Sequence, residues 1–321
     1  MPMFFYAMNP ISSSSKPKTI NRLHSLDFIR GVALALMVFH HAIMNVRYVY
    51  GLDLFAFQEE YWFIDIGRPI VLAVFLLVSG ISSVFSKNNL RRGFRMLVFG
   101  FMETLVTWII DRWIAPTGVI YFNVIHVIAC SIFLYTLLMR SENRCSVSVL
   151  SDATSVNGVT HVAPEEDELD ISREKIALAV AAQQKTLRSN RRIALLVIFG
   201  AAGIFAAGLL EPLLPASSDN GLFLLFGVPP RGRDVMDGMS LFPGIGFFLI
   251  GAAVGHLLFP KPWQGTTSFR DSGKNEKRFD GRLPLLMRPF CFLGRNALWV
   301  YIFHQPILHI LLSLILGPPT F

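Results

Sequence analysis

Arg30 and His41 lie eleven residues apart in a stretch otherwise almost free of charge, with Asp27 three residues before the arginine and His40 beside the histidine. On a helix, eleven residues at 100° each bring the two side chains within about 20° of one another. Asp27, Arg30, Leu34, Met37, His41 and Asn45 then share one stripe. The same residues rise about 16 Å, so the arginine sits at one mouth of a bilayer and the imidazole about two thirds of the way across. His40 points about 80° away from Arg30, off the stripe. Glu103, His126 and His304 interrupt further apolar runs, and His126, about seven residues or 10 Å in from the outer end of its run, is expected at the depth of His41, which would let the two imidazoles share a chamber. An ionisable group at bilayer depth costs at least about 2.5 kcal/mol, so each marks either chemistry or a buried pair. Imidazoles are suited to taking and returning protons near neutral pH. Asp27 and Arg30 at spacing three read equally well as an ion pair at a helix end, and Glu103 as the partner of a histidine or of Arg95.

These residues need long helices to hold them. The chain has 321 residues, 53% hydrophobic and 16% charged, with a mean hydropathy of +0.50. Soluble domains carry roughly 25% charged residues, which excludes an ordinary soluble globule. A bilayer core of about 30 Å needs about 20 apolar residues per helix. Stretches at about 28–46, 67–86, 94–114, 119–139, 193–213, 238–259 and 296–316 qualify. The expected fold is all-α, a polytopic transmembrane bundle of about seven helices. The apolar patches Leu222 to Val228 and Leu285 to Leu293 are too short to span and are read as interfacial or re-entrant pieces, which leaves room for an eighth helix. No cleavable leader is expected in the first 20 residues. The divisions are a tail over 1–24, a membrane domain over 25–316 with an insertion at 140–192, and a tail over 317–321. The insertion is expected to open with a poorly ordered Ser/Val/Thr-rich stretch. A helix then follows the acidic run around Glu165 to Asp170.

Of the 29 Lys and Arg residues, 24 fall in segments on one side of this layout and five, Arg47, Arg68, Arg112, Arg231 and Arg233, on the other. The positive-inside rule then puts the N-terminus in the cytoplasm and the C-terminus outside. The net charge of +7 is thereby a topology signal, and no nucleic-acid partner is expected. Three cysteines, Cys130, Cys145 and Cys291, offer no metal-ligand spacing, so no metal is expected. Ser79, Gly80, Ser82 and Ser83, like Gly244, Gly246, Gly251 and Gly255, read as close helix packing. Lys87, Arg91, Arg92 and Arg95 share the inner face with Arg288 and Arg295. Together they form a positive mouth suited to a cytosolic ligand with several phosphates, such as coenzyme A.

The segment Leu26-Asp27-Phe28-Ile29-Arg30-Gly31, running on to His40-His41, resembles the opening of membrane-bound acyltransferases. The broader likeness is to the acyltransferase-3 family. The closer is to the heparan-alpha-glucosaminide N-acetyltransferase catalytic-domain family. Phe75 to Gly80, Arg91 to Arg95, Val124-Ile125-His126, Phe242-Pro243-Gly244 and Leu293-Gly294-Arg295-Asn296 through His304-Gln305-Pro306 match its further pieces in order. Asn45 stands where many relatives carry an acidic residue. The resemblance implies acetyl transfer from cytosolic acetyl-CoA to an amine or hydroxyl of a sugar or glycan on the outer face, in an integral protein of the plasma membrane surrounded by lipid. By the family's pattern His41 deprotonates the acceptor or takes the acetyl group itself, with His40, His126, His304, Asp27, Arg30 and Glu103 as further catalytic candidates. Lys87, Arg91, Arg92, Arg95, Arg295 and Asn296 are the candidates for holding the coenzyme. A homo-oligomer is left open. The rival reading is a multi-helix transporter or channel with a histidine proton relay, which predicts inverted repeats or paired broken helices, and neither is found. A catalytically silent scaffold is the third.

The 24 to 5 asymmetry is testable. In a chain whose native cysteines are replaced by serine, a cysteine at Thr160 is expected to resist a membrane-impermeant maleimide in intact cells, and labelling there would reverse the orientation.

Overall fold

The computed structural model describes residues 24–86, 88–113, 118–154, 167–233, 235, 237–259 and 284–317. The expectations for the N-terminal tail, Lys87, Glu165, Glu166, the basic segment 260–283 and the last four residues lie outside them. The chain is an all-α bundle: α1 His24–Met44, α2 Arg68–Val84, α3 Asn89–Trp113, α4 Val124–Thr154, α5 Asp167–Leu210, α6 Leu241–Leu258, α7 Met287–Arg295 and α8 Ala297–Leu316. Among the described residues six helical stretches are long and apolar enough to cross a membrane, and Val124–Arg140 is a shorter apolar helix beside them. The short patch before α8 becomes α7, nine residues long and laid against α1, and the patch after α5 becomes a 3-10 turn over Gly221–Phe226.

The fourth expected span differs. Val119, Ile120 and Phe122 are apolar and buried, yet residues 119–123 run extended rather than helical, and α4 begins only at Val124. Extended backbone survives at membrane depth only where protein satisfies it. Here Asp111 accepts from the Gly118 amide at 2.8 Å, Thr107 Oγ1 accepts from the Ile120 amide at 3.1 Å, and the Phe122 carbonyl accepts from the Met239 amide at 2.9 Å. Val119 bridges Val235. At its other end α4 does not stop where hydropathy falls but stays helical to Thr154, through the stretch expected to be poorly ordered. The helix expected after the acidic run starts within it, at Asp167, and continues unbroken into the fifth span.

α6 is the central helix, packed between α2 and α5 and buried from Gly244 through Gly255 on several faces. Its glycines are there because backbone meets backbone. A methyl on Gly251 would run into the Leu77 carbonyl, and one on Gly80 into the Phe248 carbonyl. α1 and α7 meet the same way, Gly31 against Phe290 and Gly294 against Asp27. Small residues let membrane helices approach closely where no hydrophobic force drives them together. Gly251→Val is therefore expected to cost about 1 to 3 kcal/mol by forced displacement of α2. Gly208→Ala, which meets no atom within reach, should leave the detergent-solubilised Tm within experimental scatter; equal losses at both sites would refute the packing account.

Candidate functional site

The stripe read on α1 faces the bundle. Leu34 and Asn45 are buried, Met37 packs on the core, and Arg30 and His41 each find partners on other helices. Arg30 is tied down on three sides: an ion pair with Asp27 at 3.7 Å, a hydrogen bond to the Ser82 hydroxyl of α2, and one to the Gly294 carbonyl of α7 at 3.3 Å. Asp27 and Arg30 thus form the helix-end pair that their spacing suggested. Beside them Arg92 donates to Ser83 Oγ at 3.1 Å. Arg30, Arg92 and Arg295 line one cavity of about 260 Å³, which also touches Ser79 and Ser82 and reaches Tyr301 on α8. Arg91 and Arg95 are exposed at the same end. Asn296 is held by the Phe292 carbonyl at 2.9 Å and terminates α7.

Beyond Tyr301 lies a second polar layer. The Tyr301 hydroxyl donates to Asp237 Oδ2 at 3.4 Å, and its carbonyl accepts from His304 Nδ1. The rings of His304 and His41 are 4.9 Å apart, and His40 lies 5.5 Å from His41. Gln305 connects α8 to α1, with its Nε2 donating to His41 Nδ1 at 2.9 Å and its Oε1 accepting from Asn45 Nδ2 at 3.1 Å. Arg68 at the start of α2 is near enough to act electrostatically on His40, His41 and Asp237. Burial pushes the Asp237 carboxyl up, against the opposing pull of His304, Tyr301 and Arg68. On the same end, hydrogen bonds from Arg47 and Tyr48 hold Glu59 below the usual carboxylate range.

His126 does not join this group. With α4 starting at Val124, it occupies the first turn rather than a point seven residues in. Its ring stacks on Phe122 and hydrogen-bonds Asn123 at 2.9 Å, whose amide donates to Glu103 Oε2 at 2.8 Å. Equal depth along two helices did not mean a shared chamber: the ring that faces His41 is His304. Glu103 reaches a histidine only through Asn123. It still shares the electrostatic environment of Tyr301 and Asp237. Asn123, Asp237, Arg68, Gln305 and Tyr301 are the residues that sequence reasoning missed. Asn123 had a signal, an asparagine just ahead of a helical run, and Gln305 lay inside the quoted His304-Gln305-Pro306 piece. Nothing in the loop before α6 marked Asp237.

The family model for heparan-alpha-glucosaminide N-acetyltransferase, catalytic, matches residues 22–162 and 175–306. The chain belongs to this family. No curated protein and no solved structure matches it. As a member of the heparan-alpha-glucosaminide N-acetyltransferase catalytic family it is a transmembrane acetyltransferase, an integral membrane enzyme. The matched range embraces both polar layers, the arginine cavity and the histidine group.

Asn123 is fully buried and serves three partners at once, Glu103, His126 and the Ile125 amide. Asn123→Ala strands at least one of them, a loss of about 1 to 3 kcal/mol. The Tm of the purified variant is expected to fall accordingly; an unchanged Tm would show that these bonds contribute no net stability.

Proposed function

We propose that the enzyme carries an acetyl group from cytosolic acetyl-CoA to an amine or hydroxyl of a sugar or glycan on the opposite face of the membrane, with the N-terminus in the cytoplasm and the plasma membrane as its site. The observation that carries this reading is the cavity between α1, α2, α3, α4, α7 and α8, with Arg30, Arg92, Arg295 and Tyr301 on its walls. Guanidinium groups are matched to phosphate oxygens in charge and fork geometry. Arg30 is engaged with Asp27, Ser82 and Gly294, so it shapes the mouth, while Arg92, with one bond to Ser83, Arg295, with one to the Cys291 carbonyl, and the exposed Arg91 and Arg95 keep further N–H groups for the coenzyme. The pantetheine arm would follow the cavity toward Tyr301, about 6 Å along α8 from its first residue, Ala297. The thioester would then lie near the His41 and His304 group. A base in that group accepts the proton that the sugar amine or hydroxyl sheds on attack. The acidic and aromatic residues at the far end of α1 and α2, among them Asp53, Glu59 and Trp62, surround the approach for the acceptor.

Two measurements test this. Acetyl-CoA affinity of the purified protein is expected to fall by about 1.5 to 3 kcal/mol for each charged hydrogen bond lost in Arg92→Ala and Arg295→Ala. Unchanged affinity in both would reduce the arginines to a topology signal. His41→Ala should lower acetyl transfer by 10² to 10⁴-fold, the usual loss on removing a proton-handling group. Coenzyme binding should persist, because Arg30 lies about 16 Å away along the helix. His40→Ala should be milder, since neither of its ring nitrogens is bonded to the group. Wild-type turnover in His41→Ala would remove the histidine group from the reaction.

A further inference from the structure

We propose that His304 is the base of the transfer and His41 the hydrogen-bond donor to the thioester carbonyl, a division of roles set by which nitrogen of each ring carries the proton. This rests on the acetyl-transfer reading above. The amide nitrogen of Gln305 has hydrogens and no lone pair to offer, so His41 Nδ1, 2.9 Å away, is an acceptor and the neutral ring holds its proton on Nε2. Its oxygen accepts from Asn45 Nδ2 at 3.1 Å, and Asn45 is only 5% exposed, so Gln305 keeps this orientation as long as Asn45 presents its amide nitrogen. His304 is held the other way. Its Nδ1 meets the Tyr301 carbonyl, which can only accept, so Nδ1 carries the proton and Nε2 a lone pair. That Nε2 is buried and bonded to no protein atom. The rings lie 4.9 Å apart, and in this assignment one histidine offers an N–H and its neighbour a basic nitrogen to a substrate placed against the pair.

The step balances. As the acceptor oxygen or nitrogen attacks the thioester carbon, its proton passes to His304 Nε2. The carbonyl oxygen takes the displaced electron pair and is met by the N–H of His41, the arrangement that stabilises a tetrahedral intermediate. The new C–O or C–N bond is retained, the C–S bond breaks, and the departing sulfur recovers the proton from His304. Asn45 and Gln305 are positioning residues in this scheme. A carboxylate at position 45, able only to accept, would take the Gln305 amide hydrogens, turn its oxygen toward His41 and move the ring proton to Nδ1. The charged and titratable groups that bear on the pair are His40 and Arg68 around His41, and Asp237 and the Tyr301 hydroxyl around His304.

The direct test is magic-angle-spinning NMR of the full chain, labelled at histidine and reconstituted in lipid bilayers, with the two signals assigned by their loss in His41→Gln and His304→Gln. His41 is expected as the Nε2–H tautomer and His304 as the Nδ1–H tautomer; the same tautomer at both, or the reverse, overturns the proposal. The kinetic arm follows transfer from radiolabelled acetyl-CoA to glucosamine. His304→Gln should lose 10² to 10⁴-fold and the acid limb of its kcat profile against pH. His41→Gln, which keeps an amide N–H, should retain at least tenfold more activity than His41→Ala. Gln305→Glu should lose kcat with acetyl-CoA affinity intact, while Gln305→Asn with a restored bond should recover part of it. A normal pH limb in His304→Gln, or wild-type kcat in Gln305→Glu, refutes the assignment. If the wild type transfers nothing, the acetyl-transfer reading and the step fail together, whereas the tautomers are decided independently by the spectra.

Discussion

A guanidinium at the edge of a bilayer must be answered on every side, and Arg30 is answered by three helices. Asp27 on α1, Ser82 on α2 and the Gly294 carbonyl on α7 each supply an acceptor. The last is reachable only because α1 and α7 touch backbone to backbone at Gly31 and Gly294. Removing the charge from water is costly unless it is paired. The packing of this corner and the solvation of one side chain are therefore a single requirement. Once α7 is held there, Arg295 follows at the next residue and α8 begins at Ala297, and the cavity walls are set.

The same logic orders the opposite end. Asn45, Gln305, His41, His304, Tyr301 and Asp237 form a connected polar layer, drawn from α1, α8 and the loop before α6. Asn123 joins Glu103 to His126 in a separate one. Both layers lie among apolar side chains, where each hydrogen bond is electrostatically stronger than in water and each missing one costlier. Tyr301 stands between the arginine cavity and the first of these layers, lining one and bonded into the other.

Much of this was legible in advance, for reasons that also mark the limits. Helices α1, α2, α3, α5, α6 and α8 announced themselves through apolar length, a property of composition alone. The stripe on α1 could be drawn because helical periodicity fixes azimuth within one element. What periodicity cannot supply is which face of another helix lies opposite. That is why His41 was matched by depth to His126 while its true neighbour, His304, sat in a later helix. Residues 119–123 misled because hydropathy reports burial, not backbone shape, and their extended path depends on acceptors at Asp111 and Thr107 of α3 and on the Met239 amide. The helical reach of α4 to Thr154 was hidden for the opposite reason, since its polar sequence resembles a loop.

α5 runs for 44 residues without interruption, about 66 Å at the helical rise, in a bilayer core of about 30 Å. More than half its length is therefore a stiff arm outside the lipid, continuous with a segment that packs against the central helix α6. A rigid rod converts angle into distance. A 10° change in the tilt of the span would swing a point 30 Å beyond the lipid by about 5 Å, so a load on the arm is passed to α6, and a shift of α6 is magnified at the arm's tip.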